Sequence, residues 1–148
     1  VNTGIDLRDP DLSPDIIRAA LGMAPHPEGG WYREMFRDAP ADPAARGAAT
    51  AILFLLAAGE QSAWHRVDAL EIWLWQAGAA LELRLECDVI LQLGPNISAG
   101  ETPQGVVPAY AWQAARSTGP WSLVSCIVAP AFSFAGFEMA PGGVIPAG

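Results

Sequence analysis

Leu81, Leu83 and Leu85 alternate with Glu82, Arg84 and Glu86, the clearest pattern in the chain. A period of two predicts a strand with the leucines inside and the charges in water. Val89–Leu93 reads as the returning strand, with Asp88 in the turn. The apolar run at 48–57 predicts a strand buried on both faces, because Thr50, Ile52 and Phe54 favour a strand and Gly59 ends it. Residues 31–36, Gln61–Val67, 71–76, 105–108 and 111–115 read as further short strands. Trp121–Ala129 is the last strong one, with Trp121, Leu123 and Ile127 on one face and Val124, Cys126 and Val128 on the other. Segments 38–47 and 94–102 read as loops, and Phe132, Phe134 and Phe137 pack a non-helical tail. A single short helix is predicted near the start, capped by Ser13, with Pro14 and Asp15 in its first turn and Gly22 as its stop. Many short strands with Gly/Pro turns over 148 residues indicate one domain, 1–148, built as a sandwich or a closed barrel.

The polar residues that break this pattern are the candidates for chemistry. Glu71 shares a strand face with Trp73 and Trp75, and two tryptophans are unfavourable on a monomer's open surface. An interior cavity beside the tryptophans therefore accounts for all three. His65, on the preceding strand, is the expected partner of Glu71 across a hairpin. Imidazole and carboxylate together suit acid–base work or a shared metal, and a structural pair that fixes the hairpin is the plain alternative. Tyr110 and Gln113 carry polar tips that suit a ligand inside a barrel, or a plug and a tied-off rim. In the segment around Gly29 and Gly30, Glu28 and Arg33 are expected at a pocket rim, with a surface turn as the alternative.

Composition narrows the function further. The net charge is -8, and all eight basic residues are scattered arginines. No stretch has the basic density that nucleic acid or an anionic membrane surface requires. The apolar share, 51%, is high against 16% charged residues, so part of the surface is expected to be covered by a second copy. Cys87 and Cys126 belong to no CxxC pair, and Cys126 reads as a buried thiol. The sequence as read opens without a charged-then-apolar leader, and its longest apolar run is far short of a membrane span, so the cytoplasm is the expected location. Nucleophile-elbow, phosphate-loop, HExxH and dinucleotide motifs are absent from the sequence.

The segments HPEGGWYRE (26–34), ATAILFLL (49–56), SAWHRVDALEIWLWQAG (62–78), LG (93–94), GETPQGVVPAYAWQAA (100–115) and WSLVSCIVAPAFSFAGFE (121–138) resemble the DUF985, or cupin type 5, group of the cupin superfamily. The resemblance implies a mainly β double-stranded β-helix, a jelly-roll barrel with a short N-terminal helix and an interior pocket, assembled as a homodimer. In the more general cupin motifs, His65, Glu71, Gly78 and Pro108 match. Val67 stands where a second His belongs, Tyr110 replaces a Gly, and Gln113 replaces the last metal-binding His. Any metal would then rest on His65, Glu71 and Gln113, a reduced set favouring a weakly held divalent ion. In overall fold the group is similar to metal-independent sugar epimerases that pair a His base with a Tyr acid, and His65 and Tyr110 are the only counterparts. Three expectations follow. The first is an isomerase or epimerase of a small polar or sugar-like molecule, with His65 as base held by Glu71 and Tyr110 as acid. The second is a non-catalytic small-molecule barrel in which Trp73, Trp75 and Tyr110 supply apolar contact and Glu71, His65 and Gln113 orient the ligand, with Glu28 and Arg33 as further ligand-binding residues at the rim. The third is a metal-dependent cupin.

Overall fold

The computed structural model describes residues 4–146. One helix, α1 (Pro14–Leu21), precedes eleven strands: β1 (Ala24–Pro25), β2 (Trp31–Arg37), β3 (Thr50–Ala57), β4 (Gln61–Val67), β5 (Leu70–Gly78), β6 (Leu81–Leu85), β7 (Val89–Leu93), β8 (Gln104–Val107), β9 (Gln113–Ser117), β10 (Trp121–Ala129) and β11 (Phe137–Met139). They form two antiparallel sheets, ordered β1-β2-β3-β10-β5-β8 and β11-β4-β9-β6-β7. The facing sheets enclose a core of Phe54, Leu56, Trp73, Leu81, Leu83 and Val124. The mainly β, two-sheet barrel with one short N-terminal helix is as the sequence predicts.

Helix α1 is built as its caps indicate. The Ser13 hydroxyl accepts from the Asp15 amide, and Gly22 takes the left-handed conformation at the C-cap. Its buried Ile17 packs with Leu55, Trp121 and Leu123 on the outer face of the larger sheet. Trp121 and Leu123 are thus covered by the helix, while Ile127 lies beyond it.

Four details differ from the sequence expectation. β4 and β5 form no hairpin: they belong to opposite sheets, so His65 and Glu71 enter the interior from facing walls. Glu82 is not in water but is buried beneath Arg84 and Arg116, which hold it at 2.6 and 2.9 Å. Residues 111–112 precede β9 rather than opening it, and Tyr110 sits in a turn at φ 66°. The tail contributes β11, which pairs with β4.

Two irregularities set which side chains face inward. β2 slips register between Glu34 and Phe36, so Arg37 pairs with inward-facing Thr50 and Phe36 turns outward. β4 slips between Ser62 and His65 and puts both, three positions apart, on the interior side. An extra residue shifts the alternation of every side chain beyond it.

The turn between β1 and β2 dips into the end of the barrel. The His26 amide donates to the Gly30 carbonyl at 2.9 Å, and the Ala63 amide of β4 donates to the Glu28 carbonyl at 2.8 Å. Gly29, at φ 107°, approaches β4 so closely that a Cβ there would lie 2.0 Å from the Gln61 carbonyl oxygen. Gly29→Ala is expected to cost about 2–4 kcal/mol, from backbone strain and overpacking together, measured by urea unfolding. An alanine variant as stable as the parent would mean that the turn does not lie against β4.

Candidate functional site

A cavity of about 280 Å³ lies inside the barrel. Its floor is polar, formed by His26 and Glu28 from the turn, His65 from β4 and Glu71 from β5. Ile52, Val67, Cys126 and Val128 make apolar walls. Tyr32, Glu34 and Arg37 of β2, with Phe132 and Phe134, line the remaining side.

Each floor group has a defined partner. The His65 Nδ1 lies 2.7 Å from the Ala63 carbonyl, which fixes the proton on Nδ1 and leaves Nε2 as an acceptor. That Nε2 meets Glu28 Oε2 at 3.2 Å. The other Glu28 oxygen, Oε1, accepts from the Ser62 hydroxyl at 2.9 Å. His26 Nδ1 accepts from the Glu28 amide at 3.2 Å. Reaching across from β9, beside His65, the Gln113 amide nitrogen donates to Glu71 Oε2 at 2.6 Å, and the Trp73 indole of β5 donates to Gln113 Oε1 at 2.9 Å. An indole N–H can only donate, so it dictates which way the Gln113 amide turns.

The charge states follow from burial. Glu28 is pushed up to about 8 by desolvation, against the opposing Ser62 hydrogen bond. Glu71 is pushed up to about 7, again by desolvation first; His65 opposes the shift and Glu28 adds to it. Burial pulls His26 down to about 4 and His65 down as well. The Cys126 thiol, which donates to Glu71, is pushed well above its ordinary range by burial and by both carboxyls. At neutral pH the floor is therefore a set of nearly neutral groups. The Glu28 proton sits on Oε2, aimed at the free nitrogen of His65.

The sequence candidates divide into three groups. His65, Glu71 and Glu28 come together on the cavity, but His65 pairs with Glu28 and not with Glu71, and Glu28 sits on the floor and not at a rim. Gln113 and Trp73 lie behind Glu71 and orient it; Trp75 packs in the core with its indole on the Ala79 carbonyl. Arg33 and Tyr110 lie away from the cavity. Arg33 donates to the Leu21 carbonyl at the end of α1, and Tyr110 is 63% exposed in its turn. Sequence reasoning missed His26, Ser62, Tyr32, Glu34, Arg37 and Cys126. Alternation with Val128 marks Cys126 as inward and pairs Tyr32 with Glu34, but the two register slips hide Ser62 and Arg37.

The donor set does not fit a cupin metal ion. Gln113 Oε1, its only metal-binding atom, is taken by Trp73; His65 Nε2 faces Glu28; and Val67 has no lone pair. Among the described residues no group of three or more His, Cys, Asp or Glu side chains is placed to hold one.

Two antiparallel sheets closed around a polar interior define a cupin-type barrel. The chain belongs to the family described as Cupin superfamily (DUF985), whose model matches residues 15–140. A crystal structure of a protein from Shewanella oneidensis is similar at 34% identity, covering 87% of this chain and 85% of that one, with a TM-score of 0.83. A hypothetical protein from Leishmania major is similar at 29% identity over 86% of both chains, with a TM-score of 0.78. A cupin 2 conserved barrel domain protein from Rhodopseudomonas palustris shares the fold alone, at 15% identity, 81% and 79% coverage and a TM-score of 0.57. No curated protein matches the chain.

The floor groups predict an unusual stability profile. Glu28 and Glu71, raised above the ordinary carboxyl value of 4.5, bind more protons folded than unfolded, so each stabilises at low pH and loses that contribution as pH rises through about 7 and 8. The two histidines, lowered from 6.5, act in the opposite sense below that pH. Their effects offset from about pH 4.5 to 6.5, and only the carboxyl effect remains above. Unfolding midpoints in urea are expected to fall between pH 6.5 and 8.5, and the fall should shrink in Glu71→Gln. A midpoint that rises across this interval would contradict the assigned protonation.

Proposed function

We propose that the cavity is the active site of a proton-transfer enzyme, an isomerase or epimerase of a small polar molecule. One observation carries this reading: Glu28 and Glu71 enter the buried floor of one partly open cavity from different walls, and among the described residues no arginine pairs with either. Glu71, pushed up to about 7, is present near neutrality both as acid and as carboxylate. Glu28, pushed up to about 8, is held as the acid against His65. A C–H proton beside a carbonyl passes to the Glu71 carboxylate. The Glu28–His65 pair returns a proton to the other face of that carbon, and the reverse reaction exchanges the roles. His65 Nε2 accepts the hydrogen bond of the Glu28 carboxyl and holds that acid in place. After turnover Glu71 gives its proton to solvent and solvent re-protonates Glu28, so the base role expected of His65 passes to Glu71 and the acid role expected of Tyr110 passes to Glu28.

The test is solvent-deuterium incorporation at carbon in a panel of small hydroxycarbonyl compounds. Incorporation is expected with the parent protein and should drop by about 10²–10⁴-fold in His65→Ala and in Glu71→Gln. Binding without incorporation would favour a non-catalytic barrel. Undiminished incorporation in both variants would refute the assignment.

The partner in this reading is a second copy of the chain. Phe36, Ala51, Ile127, Ile72 and Val106 form one row across five strands on the outer face of the larger sheet. Phe36 is 55% and Val106 50% exposed, and a contiguous apolar row of this kind marks an interface. The parent is expected to sediment as a homodimer and Ile127→Glu as a folded monomer; a monomeric parent would exclude the interface. No described helix is long and apolar enough to cross a membrane, and the free thiols of Cys87 and Cys126 suit the reducing cytoplasm.

A further inference from the structure

The cavity wall carries three carboxyl groups, Glu28, Glu34 and Glu71, against one arginine, Arg37. Arg37 is already engaged. Its Nε and Nη2 donate to Glu34 Oε1 at 3.1 and 2.7 Å, and its Nη1 donates to the Phe132 carbonyl at 2.8 Å. His65 is buried with Nδ1 on the Ala63 carbonyl and Nε2 on Glu28, His26 Nδ1 accepts from the Glu28 amide, and burial keeps both rings uncharged at neutral pH. A phosphate or carboxylate entering this space would lose its water and meet acidic groups instead of a free cation.

The remaining walls suit the opposite charge. Tyr32, Phe132 and Phe134 put three aromatic rings around the cavity, and aromatic rings attract cations when water is excluded. Glu71 Oε2 is held by Gln113, so its carboxyl is fixed in place before any ligand arrives. The volume, about 280 Å³, lies just below the ~300–1,000 Å³ of pockets for drug-sized ligands and suits a compact molecule.

We propose that the ligand of this cavity is a small organic ammonium ion, its positive charge seated against Glu71 among Tyr32, Phe132 and Phe134. The assignment rests on the cavity being the ligand site, and it names the substrate class of the proton-transfer reaction. Binding exchanges one charge for another. The ammonium keeps its protons, the Glu71 carboxyl releases one to solvent, and the buried ion pair is neutral overall. The carboxylate base needed for proton abstraction then forms when the cation arrives. Glu28, Glu34, His26, His65, Cys126 and Arg37 are the other titratable or charged groups facing this space. None of them supplies a free positive charge that would compete.

Three probes of matched size test the proposal: cyclopentylammonium, cyclopentanol and cyclopentanecarboxylate, titrated against the intact protein by NMR with the His26 and His65 ring protons as reporters. Cyclopentylammonium is expected to bind about tenfold more tightly than cyclopentanol at pH 7, and the carboxylate to leave both rings unshifted. Glu71→Gln should remove the difference between the first two probes. If that variant does not fold, the parent itself decides: raising the pH from 6 to 8 should tighten cyclopentylammonium and leave cyclopentanol unchanged. Equal binding of the alcohol and the ammonium would overturn the charge assignment while leaving the cavity as a binding site, as would tighter binding of the carboxylate. If none of the three probes shifts either ring, the cavity as a ligand site falls as well.

Discussion

Glu28 and Glu71 are buried in one cavity where, among the described residues, no guanidinium pairs with either, and an ionised carboxylate in that position is costly. The surrounding interior is organised around this constraint. Both groups shift toward the protonated form, and each is held by donors that are themselves fixed: Ser62 on Glu28, and Gln113 and Cys126 on Glu71. Trp73 sets the Gln113 amide, and the Ala63 carbonyl sets the His65 tautomer. The network is almost complete. Among the described residues that are not exposed, only Arg18 Nε is a fully buried side-chain polar atom without a partner.

The placement of arginine gives the cavity its character. Glu82 and Glu71 are both largely buried glutamates on strands, yet Glu82 is held down at about 2 by hydrogen bonds from Arg116 and Arg84, while Glu71 is pushed up to about 7. The difference lies first in desolvation, which dominates at Glu71 and is outweighed at Glu82, and then in the neighbours. Arg84 and Arg116 stand on the outside of the smaller sheet, where water carries part of their charge, and Arg37, on the cavity wall, is paired with Glu34. The interior is left with acidic groups and no free cation. A proton or a positively charged ligand can satisfy them, and the same feature links the acid–base chemistry to the choice of substrate.

The backbone irregularities connect fold to site. Without the slip in β2, Phe36 would face inward in place of Arg37; without the slip in β4, Ser62 and His65 could not both reach Glu28. Gly29 lets the turn press against β4, and the Ala63 amide fastens it there. Three strands and a turn, distant in the chain, thereby converge on the carboxyl groups.

Much of this was legible in the amino-acid pattern. Alternation and apolar runs identified nearly all the strands, the caps placed α1, and the placing of Glu71 beside Trp73 and Trp75 implied an interior acid, because period two and the burial of tryptophan are local constraints. Pairing was not local. His65 meets Glu28 and not Glu71 because β4 and β5 lie in different sheets, and Tyr110 leaves the site because its turn bends outward at a positive φ. Sequence alone established which residues need shelter or a partner. Tertiary structure decided which partner each one has, since sheet order and one-residue slips determine which side chains share a cavity and leave little trace in the order of the amino acids.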